Sequence, residues 1–236
     1  MLKMRWLIGA FAALLLSAAV AGCGAETGDS VAPRVRGRLD YQGIDLSSHQ
    51  GLVDWNKVAA DTNIHFAYIK ATEGATYHSP HHDYNVRHAR RNGILVGSYH
   101  FFSTTSPVAD QVENFTTHVA HDSQDLLPMI DVERIGDLSR RQLQDSVLLM
   151  ARALERIYGR KPIIYSTLEF YNTWLVPQFN DFPLYIGRYA TVEPQIHWQG
   201  RYTVWQFSEQ GVVPGIDRYV DLCRLRPGVT INDLKL

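Results

Sequence analysis

Eight short apolar runs punctuate the chain between Tyr41 and Leu225, and most of them end on a polar or charged side chain. They are "YQGIDLSS", "IHFAYIKATEG", "ILVGSYHFF", "LLPMIDVE", "KPIIYS", "FPLYIGRYA", "YTVWQFS" and "RYVDLCRL". Their length and their β-branched and aromatic content are those of strands. Helical patterns separate the earlier ones. "GLVDWNKVAAD" carries a start signal at Asp54. "SPHHDYNVRHARRNG" places Ser79 as N-cap, Pro80 at the first position and Gly93 as C-cap. "SPVADQVENFTTHVAHD" repeats the Ser-Pro start, and "LSRRQLQDSVLLMARALERIYG" predicts a long amphipathic helix from Ser139 to Gly159. Strands alternating with helices predict βαβ units and a parallel sheet. Eight such units predict a single α/β domain built as a (β/α)8-like barrel of TIM type. The last third has short connections and little helix, so the barrel is expected to be irregular.

One run poses a chemical question. In "LLPMIDVERIG" the carboxylates Asp131 and Glu133 follow an apolar stretch with one residue between them. Strand side chains alternate, so both point to the same side. Like charges that close repel, and a partly buried pair should retain a proton at neutral pH. Other strand ends are polar as well. Asp45 ends the first, Lys70 and Glu73 the second, and Tyr99 and His100 the third. Tyr165 ends the fifth, Trp205 and Gln206 the seventh, and Asp221 falls within the last. A barrel gathers such residues at one mouth. Buried charges are costly unless paired, so core packing does not call for this collection. Paired carboxylates at one mouth are what glycosidic bond hydrolysis uses, one as general acid and another to stabilise or trap the sugar cation or to activate water.

The motifs "DLSSHQGLVDW", "FAYIKATEGATY", "GILVGSYHFF", "PMIDVE", "VWQFSEQGVVPGI" and "VDL" occur in this order. Together they resemble glycoside hydrolase family 25, the Chalaropsis-type lysozymes or N-acetylmuramidases, from about Tyr41 to Leu225. The resemblance implies a flattened, irregular barrel that cleaves the β-1,4 bond between N-acetylmuramic acid and N-acetylglucosamine in peptidoglycan, with no metal or organic cofactor. It implies that Glu133 is the proton donor, with Asp131, Asp45 and Asp221 as the other catalytic carboxylates. It leaves the second step open among attack by the substrate N-acetyl group, by a carboxylate or by water. Tyr68, Lys70, Glu73, Tyr99, His100, Tyr165, Arg188, Trp205 and Gln206 are the expected substrate-binding residues. Two positions depart from the family pattern: Tyr185 stands where Trp is frequent, and Cys223 where Asn commonly follows the V-D-L motif.

Plainer readings stand beside these. Asp131 could cap a helix, and Asp45 a turn with Ser47. Lys70 and Glu73 could be a structural ion pair. Tyr99, Tyr165 and Trp205 could be barrel core, and Arg188 could only balance the acidic mouth. Asp217 competes with Asp221 but follows "PGI" and reads as a turn residue. The histidines of "YHSPHHDYNVRH" read as a solvated helix start rather than a metal site. His78 and His82 have the i, i+4 spacing, but Ser79-Pro80 starts the helix between them.

Residues 1–22 have the layout of a secretory signal peptide, with Lys3 and Arg5 before an apolar run. The run ends in "VAGC", which resembles a bacterial lipoprotein processing site and makes Cys23 the expected lipidation site. Residues 23–38 read as the lipidated cysteine and a flexible tether, and 39–236 as the catalytic domain. The expected location is the cell envelope. Gly24 after Cys23, in place of an aspartate, favours the periplasmic face of an outer membrane. The only other cysteine, Cys223, has no partner if Cys23 is acylated and is expected to be a small buried hydrophobe. A formal net charge of -1 gives no footprint for nucleic acid. A monomer is expected. The competing function is a catalytically silent barrel that binds peptidoglycan as a cell-wall tether.

Overall fold

The computed structural model describes residues 42–236. The expected signal peptide, Cys23, the tether and the boundary at residue 39 lie outside them. Nine strands occur in chain order: β1 Gly43–Leu46, β2 Phe66–Glu73, β3 Tyr77–His78, β4 Leu95–Phe101, β5 Met129–Asp131, β6 Ile163–Thr167, β7 Leu184–Gly187, β8 Val204–Gly211 and β9 Val220–Leu225. The main helices are α1 Trp55–Val58, α2 His82–Arg91, α3 Val108–His118 and α4 Arg140–Tyr158. A helical turn, Leu168–Phe170, runs into a wider π turn, Tyr171–Leu175.

The sheet order is β1-β9-β8-β7-β6-β5-β4-β2, and β1 also pairs with β2, so eight strands close into a barrel. β3 lies outside the ring as a short antiparallel partner of β2. Neighbours from β1 through β8 are parallel, as the βαβ pattern predicts. The last strand departs from it: β9 is antiparallel to both β8 and β1. Residues 212–219 are too few for a parallel crossover, which takes about a dozen, so the chain turns back directly.

Local signals explain the helices. Ser139 Oγ accepts from Gln142 N, and Gln142 Oε1 accepts from Ser139 N, closing a capping box at the start of α4. Gly159 ends it in the left-handed region at φ 77°. The buried face of α4 comprises Leu143, Val147, Met150, Ala151, Leu154 and Tyr158. It packs in one cluster with Ile130, Val132 and Ile164 of the barrel wall. The start of α2 corrects the expectation at Ser79. Ser79 N donates to Ala71 O at 2.8 Å, so the chain is still tied to β2 there, and the helix begins at His82. The histidine stretch is not wholly solvated either, because His82 is buried and 2.8 Å from Ser98 Oγ on β4.

Three apolar clusters result. Two lie outside the barrel, under α3–α4 and under α1–α2. The third fills the interior with Phe66, Tyr68, Met129, Tyr165, Tyr185 and Val204 among others. Gly97 on β4 is needed for this filling: a Cβ there would stand 2.3 Å from the Tyr68 ring. The aromatic plug closes the barrel below and leaves its other end open as a cleft.

Candidate active site

The cleft has a volume of about 240 Å³. Its lining brings together Asp45, Lys70, Tyr99, Asp131, Glu133, Tyr165, Gln206 and Asp221 of the expected residues. Ser47, His49, Phe101, Met129 and Tyr189 also line it. Asp131 is the last residue of β5. The extended path continues past it, since Val132 N donates to Tyr165 O at 2.9 Å. Val132 therefore turns outward into the helical layer, while Asp131 and Glu133 both face the cleft. Asp221 arrives by a different route. It pairs directly with Asp45 across the antiparallel β1–β9 ladder, so the beginning of β9 meets the end of β1 at one mouth. Asp217 is exposed and does not line the cleft.

Asp45 sits at the centre of a polar network. Its Oδ1 accepts from Tyr185 Oη at 2.7 Å, and its Oδ2 accepts from Gln206 Nε2 at 2.8 Å and from Cys223 Sγ at 3.3 Å. Gln206 Oε1 in turn accepts from Tyr165 Oη at 2.8 Å and Tyr189 Oη at 3.1 Å. Both departures from the family pattern, Tyr185 and Cys223, are thus hydrogen-bond donors to one carboxylate. Cys223 is buried and free, but it is more than an apolar filler. Burial raises the Asp45 carboxyl to about 6 despite these three donors. Asp221 is pushed up to about 7 by burial and by the charge of Asp45.

Asp131 is 7% exposed, and its Oδ1 is buried without a hydrogen-bond partner among the described residues. Burial, then the Glu133 charge, raise its carboxyl well above the usual range. Burial raises Glu133 too, against the Tyr165 hydroxyl and the charges of Arg134 and Lys70. The pair therefore retains a proton at pH values where free carboxyls have lost theirs. Lys70 is the cation that acts on both members of the pair. It is bonded to Glu73 at 2.6 Å and lies 4.7 Å from the centroid of Phe101. Glu73 lines an adjoining cavity together with Glu133, Arg134 and Trp174. Glu133 and Phe101 thus border both spaces.

Four expected contacts lie elsewhere. Tyr68 is fully buried in the interior plug, with its hydroxyl on Leu127 O at 3.1 Å. His100 is fully buried on the outer face of β4, between Thr72 and Gln111, and burial lowers it to about 4. Trp205 is buried on the outer face of β8, where it donates to Arg188 O. Arg188 donates to Glu193 O and lines a separate cavity. In each adjacent pair, Tyr99–His100 and Trp205–Gln206, strand alternation admits one residue to the cleft and turns the other away. Tyr189, 51% exposed with its hydroxyl tethered to Gln206, went unrecognised in the sequence, although an aromatic two residues beyond β7 was a usable signal. His49 likewise follows β1 within the first motif.

A family model described as glycosyl hydrolases family 25 matches residues 44–216. An Escherichia coli K12 protein named "Uncharacterized protein YegX" is 35% identical over 199 residues, covering 81% of this chain and 72% of that protein. The autolytic lysozyme of Clostridium acetobutylicum is 32% identical, covering 81% of this chain and 57% of that protein. The structure of a family 25 glycosyl hydrolase from Bacillus anthracis aligns with a TM-score of 0.73 at 30% identity, over 83% of this chain and 94% of that one.

Proposed function

The chain belongs to glycosyl hydrolases family 25, and on that premise we propose that it is a peptidoglycan muramidase with Glu133 as its proton donor. The observation that carries this reading is the Asp131–Glu133 pair, raised by burial and facing one cleft. A barrel that only held glycan would be more stable without it. Glu133 gives its proton to the glycosidic oxygen as the C1–O bond breaks, and the leaving sugar departs as an alcohol. Asp131, with an oxygen free of other partners, stands ready to accept from the substrate amide or to stabilise the positive ring. Asp45 and Asp221 add negative potential on the opposite wall. Tyr189 and Phe101 offer faces on which sugars can stack. Water then supplies hydroxide to C1 and returns a proton to Glu133. The group that captures C1 as the leaving sugar departs is the substrate N-acetyl oxygen, a carboxylate or water itself. The anomeric configuration of the first product, read by NMR, distinguishes inversion from the two retaining routes.

The same reading places the protein in the cell envelope, as the names of its lysozyme relatives support. Acylation of Cys23 would anchor it, and residues 24–38 would let the domain reach the wall. Cys23→Ala is expected to release the protein from membranes on fractionation.

The direct test incubates the protein and Glu133→Gln with purified peptidoglycan and analyses reduced products by mass spectrometry. Fragments ending in reducing muramic acid, lost in Glu133→Gln, are expected. Equal sedimentation of both proteins with the wall and no fragments would make the barrel a binding module. Undiminished cleavage by Glu133→Gln would remove Glu133 from its role.

A further inference from the structure

The histidine-rich start of α2 contains a second chemical cluster, apart from the cleft. His82 Nδ1 is 3.0 Å from Asp83 Oδ1, and His78 Nε2, on β3, is 3.9 Å from the same oxygen. One ligand atom from each of these three residues lies within 4.8 Å of the other two. His78 Nε2 is buried and has no hydrogen-bond partner among the described residues. The His78 ring is stacked on His118, with centroids 4.1 Å apart and planes 16° from parallel. His118 is itself held by donation from Nδ1 to Asn114 O at 2.8 Å. None of these residues lines the cleft.

We propose that His78 Nε2, His82 Nδ1 and a carboxylate oxygen of Asp83 bind a divalent transition ion of the zinc type, which clips β3 to the first turn of α2. Two imidazoles and one carboxylate are a donor set that suits zinc, with the fourth position left to water. Tetrahedral bonds of about 2.0–2.1 Å require ligand atoms roughly 3.4 Å apart. The separations of 3.0 and 3.9 Å from the carboxylate oxygen bracket that value, and the ligand atoms of the two histidines, within 4.8 Å of each other, would draw toward it on binding. His82 also has the outer partner that metal-binding histidines use. Its Nε2–H can donate to Ser98 Oγ at 2.8 Å, which leaves the Nδ1 lone pair for the ion. The stacked His118 limits rotation of the His78 ring. An unpartnered buried nitrogen is unfavourable, and coordination removes that cost. One force opposes the site: the N-terminal end of α2 is positive and repels a cation. The charge of Asp83 in that first turn offsets it, so the carboxylate is needed for its charge as well as its oxygen. The spacing of His78 and His82 fits such a site, and the sequence argued against it only through the expected helix start at Ser79-Pro80 between them. The actual start at His82 leaves His78 on a strand, and the hairpin, rather than one helix face, brings the two histidines together.

The test strips the full-length protein with EDTA and titrates it with zinc chloride in metal-free buffer, by calorimetry and by thermal unfolding. Cobalt(II) absorption reports the coordination. One ion per chain, a higher Tm with zinc and a tetrahedral cobalt spectrum are expected. His78→Ala and Asp83→Asn should each weaken binding at least tenfold while glycan cleavage is unchanged. Asp83 is on the surface, so its variant keeps the test sound if His78→Ala folds poorly. No stoichiometric binding by the unsubstituted protein, or undiminished binding by both variants, would overturn the proposal.

Discussion

Asp45→Asn should flatten the pH dependence of the protein's stability by about 3 kcal/mol between pH 4 and pH 8. Asp45 is 6% exposed, and burial raises its carboxyl from 3.8 to about 6. Over that interval the folded chain keeps a proton that the unfolded chain has lost. The folded state binds more protons, so stability falls as pH rises. The contribution of Asp45 is fully present below the unfolded value and is lost by the time pH passes about 6. One pH unit corresponds to about 1.36 kcal/mol, so the gap between 3.8 and about 6 is worth about 3 kcal/mol. The Asp45 charge also raises Asp221 and Asp131. Its removal relieves both, which makes this figure the lower end. Asparagine has a separate cost, since an amide group at the Oδ2 position would face the donor Gln206 Nε2. That mismatch does not vary with pH and only offsets the curve. The assay is urea unfolding of both proteins at half-unit steps of pH. Parallel stability curves from pH 4 to pH 8 would refute the argument that Asp45 is charged at a cost.

Glu133→Gln should lower turnover by about 10²–10⁴ through loss of general acid catalysis, with no loss of stability toward urea. Lys70→Met should move the alkaline limb of the kcat/KM profile to higher pH. The Lys70 charge lowers both Asp131 and Glu133, and the acid works only while protonated; a limb that moves to lower pH would contradict this. Gly187→Ala would place a Cβ 2.8 Å from Tyr165 Oη and 3.0 Å from Gln206 Oε1. It should cut activity more than tenfold at a stability cost of about 1–3 kcal/mol, read by assay and urea unfolding together. Ser139→Ala should cost about 1 kcal/mol by removing the cap of α4 and leave activity intact.

Much of this protein was legible locally. The ends of α4 follow from Ser139, Gln142 and Gly159, because a cap is a contact among residues three or four apart. The alternation of strands and helices carried the barrel, and the ordered motifs carried the family. Where the sequence reading failed, the deciding contacts were long-range. The start of α2 slipped because Ser79 is held by Ala71 of β2, a contact outside its own segment.

The sequence by itself determined which residues share a face of each strand, since alternation is a property of extended backbone. It did not determine which face looks into the barrel. Both faces of these strands are buried, one by the interior plug and the other by helices, so hydrophobicity does not label them. Ring closure decided that Tyr99 and Gln206 face the cleft while His100 and Trp205 face the helices. Strand direction was also a tertiary decision. Only the reversal at β9 sets Asp221 beside Asp45, and only the β2–β3 hairpin sets His78 beside His82 and Asp83. Caps and alternation are short-range and can be read along the chain. Facing and proximity depend on how distant strands pair, and that is settled when the barrel closes.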